Sequence, residues 1–174
     1  VAYSKLVLAV GADPIRVPLA GDAATDVLSV NDLNDYRQFR RSLEGKTRVA
    51  LLGAGLIGCE FANDLRSAGM EVDVIDPAPQ SLGRLLPPQA ARFLRTALEA
   101  AGVRFHFETT AQSVMRTDTG LAVALANGTH IETGLVLSAI GLRPRVDLAR
   151  AAGLDVNRGI VTDSRLQTSA ADVY

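Results

Sequence analysis

Three glycines and one carboxylate have the spacing to do chemistry. The run Arg48 to Glu60, RVALLGAGLIGCE, leads from a short apolar segment (Val49 to Leu52) into Gly53-Ala54-Gly55-Leu56-Ile57-Gly58, and a helical pattern follows at once. Asp76 closes the next apolar stretch, 23 positions after Gly53. A glycine at 53 lets the chain leave a strand through a tight turn that a Cβ would obstruct. Gly55 lets the backbone come within hydrogen-bonding distance of a phosphate, and Gly58 lets the helix pack closely on the strand. The N–H groups of the first helical turn have no partner within the helix and face an anion with the helix dipole behind them. Asp76 can accept hydrogen bonds from both hydroxyls of a ribose and would repel a 2′-phosphate. Strand, turn, helix, second strand and terminal acid fall in the order that predicts a site for a dinucleotide, NAD(H) rather than NADP(H). Against this stands a turn whose glycines serve packing only, with Asp76 a surface acid before Pro77.

Other reactive side chains are sparse. Glu60 lies in the first turns of the helix, where the dipole alone accounts for a carboxylate. Cys59 is the chain's one cysteine, which rules out an internal disulfide framework or a CxxC pair in these residues, and it reads as a small packed residue. His106 falls within a strand and His130 beside a hairpin turn, neither with a second ligand at metal spacing, so both read as structural and no metal site is expected. No Ser/His/Asp arrangement, carboxylate pair or P-loop emerges, and no catalytic residue is assigned.

The elements that must position the glycine turn follow from periodicity and punctuation. Lys5 to Val10 reads as a buried strand, ended by Gly11 and the stretch from Asp13-Pro14 to Pro18. A short extended piece at Val27 to Val30 precedes a helix capped by Asn31 and running to about Leu43, with Leu33, Tyr36, Phe39 and Leu43 on one face. The core unit is strand 48–52, helix 55–68 with the stripe Ile57, Phe61, Leu65 and Ala68, and strand 71–76. Gly69 is the helix stop. A second helix from Pro88 to about Ala101, with Ala90, Leu94, Ala97, Leu98 and Ala101 inward, leads past Gly102 to strand 103–107. Segments 111–117, 121–126 and 129–132, with Asn127-Gly128 as a hairpin signal, predict an antiparallel meander. Leu135 to Ile140 suits a buried parallel strand, and a short helix is expected after Pro144. The pattern predicts an α/β, Rossmann-like domain of three layers, β/β/α: a parallel sheet with helices on one face and the meander on the other.

With 48% hydrophobic and 21% charged residues, the 174-residue chain has the composition of a soluble globular protein. A formal net charge of −1 gives no electrostatic case for nucleic acid or an anionic membrane, and Arg37, Arg40 and Arg41 read as a solvated helix face. No apolar run reaches the length of a bilayer span and no signal-peptide pattern opens the chain, which fits a cytoplasmic location. The chain opens on Val1 in an apolar pattern and stops at Tyr174 inside another, so it reads as a piece of a longer protein. The apolar end segments are expected to pair with each other or with a neighbouring molecule, and an oligomer is possible.

At this level the chain resembles the pyridine nucleotide–disulfide oxidoreductase superfamily, in the branch of reductases that serve rubredoxin and the ferredoxins of oxygenase systems. LVLAVGADPIRVP (Leu6 to Pro18) resembles the family's strand followed by A-T-G-x-x-P, with Val10 in the threonine place. GAGLIGCEFANDL (Gly53 to Leu65) resembles its NAD turn, LSAIGLRPR (Leu137 to Arg145) its strand ending in G-x-x-P, and NRGIVTDSRLQTSAADVY (Asn157 to Tyr174) the lead-in to its second flavin-domain motif. The resemblance implies an NAD(H) domain over 28–145, inserted in a discontinuous FAD domain of which 1–27 and 146–174 are remnants. It implies that Gly53, Ala54, Gly55, Leu56, Ile57 and Gly58 cradle NAD(H) and that Asp76 holds the adenine ribose. Glu60 would lie near the nicotinamide, and Ile140 with Gly141 beside the nucleotide. The flavin motifs would lie before Val1 and after Tyr174, so FAD belongs to the full-length parent and the fragment should not turn over alone. In the parent, hydride would pass from NADH to FAD and electrons to rubredoxin or a ferredoxin-like carrier. The alternatives are a flavoprotein reductase of a disulfide, oxygen or nitrite, and a non-catalytic NAD-sensing Rossmann module. Leu56 stands where disulfide-type relatives often place an aromatic gate.

Overall fold

A computed structural model describes residues 2–174 of the chain. Contacts divide them into two compact units: the continuous stretch Arg16–Gly141, and the residues up to Ile15 together with Leu142–Tyr174.

The continuous unit is built on a parallel sheet of β2 (Arg48–Leu52), β3 (Glu71–Asp76), β4 (Val103–Phe107) and β8 (Leu135–Ser138), in the order β4-β3-β2-β8. The first two crossovers are α2 (Leu56–Ser67) and α3 (Pro88–Ala100). Strand alternation sends Val49, Leu51, Val72, Val74, Leu135 and Leu137 to a core shared with Cys59, Ala62 and Leu65 of α2, Leu98 of α3 and Phe39 of α1 (Leu33–Ser42). Ala50, Leu52, Ile75 and Val136 face the other way. They pack against the antiparallel meander of β5 (Ala111–Thr117), β6 (Gly120–Leu125) and β7 (His130–Thr133), through Ala111, Val114, Val123, Leu125 and Ile131. The predicted β/β/α layering is the observed one. The extended piece near Leu28 pairs with β8: Leu28 N donates to Val136 O at 3.0 Å and Ser138 N to Leu28 O at 2.7 Å, covering what would be a bare sheet edge.

Where helix faces were expected from spacing alone, packing changes them. In α2 the buried residues are Gly58, Cys59, Ala62 and Leu65, while Ile57 is half-exposed and Ala68 is exposed. The closeness of Gly58 to the turn rotates the small-residue face onto the sheet. In α3 Ala91 and Leu98 are buried, and Ala97 and Ala101 are exposed. In α1 only Phe39 is buried, with Leu33 and Tyr36 exposed. Its cap is Asp32 rather than Asn31, because the Asp32 carboxylate accepts from both Asn34 N and Asp35 N while Asp35 reaches back to Asn31 N.

The second unit joins the two ends of the chain. β1 (Ala12–Pro14) pairs antiparallel with β9 (Leu142–Pro144), and Asp13 forms an ion pair with Arg145. The strand expected over Lys5 to Val10 is not a regular one. Its available partner is the short end 172–174, which it meets at a single parallel bridge, Leu6 with Val173. The end segments thus pair with each other: Leu6 N donates to Asp172 O at 2.9 Å and Tyr174 N to Leu6 O at 2.8 Å. The short helix after Pro144 is α4 (Asp147–Ala151).

Candidate functional site

The parallel strands β2, β3 and β8 end together, and a cleft of about 720 Å³ opens beyond their carboxyl ends. Such an edge is where open α/β sheets receive ligands. Of the residues singled out in the sequence, Gly53, Ala54, Gly55, Asp76 and Ile140 line the cleft. Leu56, Ile57 and Glu60 lie exposed at the start of α2, Gly58 is buried, and Gly141 follows with φ +114°. A second groove, about 470 Å³ between α1 and α2, lies where the strands begin, and it is lined by Tyr36, Phe39, Lys46 and Met70. Among the described residues, no helix N-terminus lines it to meet an anion.

The three glycines differ in what they answer to. Gly53 has φ +107°, and a Cβ there would stand 2.7 Å from Ala139 O. A Cβ on Gly58 would stand 2.0 Å from Gly53 O. Both are therefore required by the protein's own backbone. Gly55 has φ −74°, which any residue adopts, and a Cβ there would meet nothing within 4 Å. Nothing among the described residues asks for a glycine at 55.

Asp76 fastens the turn as well as facing the cleft. Ala54 N donates to its Oδ2 at 2.6 Å and Ala78 N to its Oδ1 at 2.7 Å. Each oxygen keeps a further lone pair, enough for one hydroxyl apiece. Gly53 N donates to Ile75 O at 2.7 Å and Leu82 N to Ala54 O at 2.8 Å, so β3 and the loop after it hold the turn on both sides. Cys59 is buried, and its thiol donates to the same Ala54 O at 3.5 Å. Burial pushes its pKa up, with the neighbouring Ser81 hydroxyl opposing, so the thiol stays protonated. Ser81 Oγ itself, wholly buried, has no hydrogen-bond partner among the described residues that meets ordinary geometry.

Two cleft residues escaped the sequence reading. Leu82 is buried in the wall with φ +52°, and Arg84 is the one cation in the lining among the described residues. Both sit in the loop 77–87, which has no periodicity to mark which side chains turn inward. Proximity to Gly83 is the only local signal. Of the two histidines, His106 Nε2 donates to Asp73 Oδ1 at 2.9 Å, and His130 is exposed at the start of β7. Among the described residues no cluster of His, Cys, Asp or Glu could hold a metal, and no helix is long and apolar enough to cross a membrane.

The family profile described as "Pyridine nucleotide-disulphide oxidoreductase" matches residues 1–174, the whole chain. The chain belongs to this family. Among curated relatives it is 53% identical to a rubredoxin-NAD(+) reductase of Alcanivorax borkumensis, over 99% of this chain and 45% of that protein. It is 41% identical to a nitric oxide reductase FlRd-NAD(+) reductase of Shigella flexneri, again over 99% of this chain and 45% of the relative. Among solved structures, the ferredoxin reductase for the CYP199A2 system of Rhodopseudomonas palustris superposes with a TM-score of 0.90 at 33% identity, covering 98% of this chain and 43% of that one. The chain thus spans less than half the length of the relatives it matches.

Proposed function

We propose that this oxidoreductase-family chain is the NAD(H)-binding part of an FAD-dependent reductase that passes hydride from NADH to FAD and electrons onward to rubredoxin or a similar small iron protein. The observation that carries the nucleotide reading is Gly55. The protein's own packing explains Gly53 and Gly58 but leaves Gly55 with an ordinary φ and open space, so its missing side chain answers to something outside the chain. That position borders the free N–H groups of the first turn of α2, where an anion is stabilised. Gly53, Ala54, Gly55, Leu56, Ile57 and Gly58 would take the pyrophosphate and Asp76 the adenine ribose. Ile140 and Gly141 would lie alongside the nucleotide, with Glu60 toward the nicotinamide. Arg84 adds a positive charge to the same wall. The nicotinamide supplies the hydride chemistry, and the residues here bind and orient it.

The flavin part of the reading rests on the family and on relatives more than twice this chain's length. In it, 1–27 and 146–174 belong to a discontinuous FAD domain around an NAD(H) domain at 28–145. Residues 16–27 and 142–145 are the segments where that division and the compact units differ. The iron-protein partner is inferred from the names of the rubredoxin and ferredoxin reductases to which the chain is similar. A cytoplasmic location goes with that reading.

Calorimetric titration of the chain tests the nucleotide: NADH should bind more tightly than NADPH, and the reverse order overturns the reading. The full-length parent tests the rest. It should purify yellow and reduce rubredoxin with NADH, whereas a colourless parent, or one that reduces only a disulfide, refutes it.

A further inference from the structure

Leu82 has an unusual backbone for its type. Its φ of +52° lies in the left-handed region, uncommon for a bulky side chain and sustained only where the surroundings over-determine it. Gly83, the next residue, could take that conformation without strain, yet its φ lies outside that region. The strain is therefore tied to position 82. The Leu82 side chain is anchored in the core between sheet and helices. Its N–H donates to Ala54 O at 2.8 Å, and its carbonyl accepts from Leu85 N and Leu86 N at 2.8 and 2.9 Å.

Ala54 O belongs to the peptide that joins Ala54 to Gly55. In a trans peptide the carbonyl and the N–H point in opposite directions. With Ala54 O held inward by Leu82 N–H, and also by the Cys59 thiol, Gly55 N–H must point outward, where no acceptor exists among the described residues. The preceding peptide is fixed in the same way: its N–H is on Asp76 and its carbonyl is pressed against Gly58.

We propose that Leu82 is a positioning residue, a backbone clasp that turns the Gly55 N–H into the cleft so that it joins the first N–H groups of α2 in one row of donors for a dinucleotide pyrophosphate. The ligand half of this rests on the nucleotide reading above; the clasp itself does not.

Amide hydrogen exchange and NADH titration on the same labelled protein test the two halves separately. The Leu82 amide, in a loop, should be protected by more than about a hundredfold relative to Gly83 and Arg84, and Gly55 should be unprotected. Leu82→Gly, which frees the backbone and removes the anchor, should weaken NADH binding about five- to tenfold, the worth of one oriented hydrogen bond. Leu82→Met, which keeps the anchor, should stay within about twofold of the parent, since the two side chains are close in volume. An unprotected Leu82 amide overturns the clasp, as does a folded Leu82→Gly protein that binds NADH like the parent. If Leu82→Gly does not fold, Leu82→Ala is judged by the same criteria. A parent chain that binds no NADH refutes the nucleotide reading instead, and the exchange pattern still decides the clasp.

Discussion

At the scale of single residues, the three glycines offer a contrast that stability and binding measurements can separate. Gly58→Ala drives a Cβ to within 2.0 Å of a backbone carbonyl that cannot retreat, and should cost about 3 kcal/mol in chemical denaturation. Gly55→Ala meets nothing and should leave stability within about 0.5 kcal/mol. Its effect should appear only in titration, as weakened NADH binding. Equal damage to stability from both would return Gly55 to a packing role. Asp76→Ala removes two charge-assisted hydrogen bonds from the backbone and should lower stability by about 2 kcal/mol while relaxing the preference for NADH over NADPH. An unchanged preference would mean that another residue reads the ribose. The strand–turn–helix placement of Gly53, Gly55 and Gly58, with Asp76 at the end of the next strand, was legible in the sequence because the motif is compact and its order is fixed. Asp76's grip on Ala54 was not, since it depends on how close β2 and β3 lie at their ends.

At the scale of elements, β3 and β4 carry a charged cluster on the sheet face that the meander core occupies elsewhere. Asp73 is 3% exposed, and Arg104 holds both of its oxygens at 2.9 and 2.8 Å, with His106 on Oδ1. Glu71 binds Arg48 and Arg104 alongside. Burial pushes the Asp73 carboxyl up, but the Arg104 and His106 hydrogen bonds outweigh it and hold the group below the usual carboxylate range. A carboxyl depressed in the folded state binds protons more readily when unfolded, so its contribution is present above about pH 4 and is lost as pH falls through the folded value. Thermal unfolding midpoints should therefore be level near neutrality and drop on acidification below about pH 4. Arg104→Ala should cost about 2 kcal/mol near neutrality, less than a fully buried pair because the arginine is half-exposed, and should shrink the acid-dependent part. If the acid profile of Arg104→Ala matches the parent's, this account of Asp73 is wrong. Element types and most boundaries were readable because strands and helices alternate with clear glycine and proline stops. Helix faces read less well: Ile57, Leu33 and Tyr36 have the spacing of core residues, yet small residues and one phenylalanine take the contacts. The charged cluster was invisible, since Asp73, Arg104 and His106 come together only when β3 and β4 pair.

At the scale of the whole molecule, the division into a continuous unit and one made from both ends sets an expectation for the parts. Residues 16–141 contain both hydrophobic cores and every cleft residue. Expressed alone, they should unfold in one cooperative transition and bind NADH as the whole chain does. A molten state without a sharp transition would show that the end segments are needed. The family resemblance was legible at this scale because its motifs recur in order along nearly the whole chain. The meeting of Leu6 with Val173 follows from the apolar pattern only as pairing of some kind, because the pattern carries no register.

The short ladder of β1 and β9 has a consequence for how such a protein can change. Pro14 and Leu142 are paired neighbours, so the chain departs for its 126-residue excursion (16 through 141) and returns at almost one point. A continuous unit attached in this way can be removed or exchanged with a junction only a few residues long. In the chain, such an exchange is a replacement between two neighbouring positions of one short ladder.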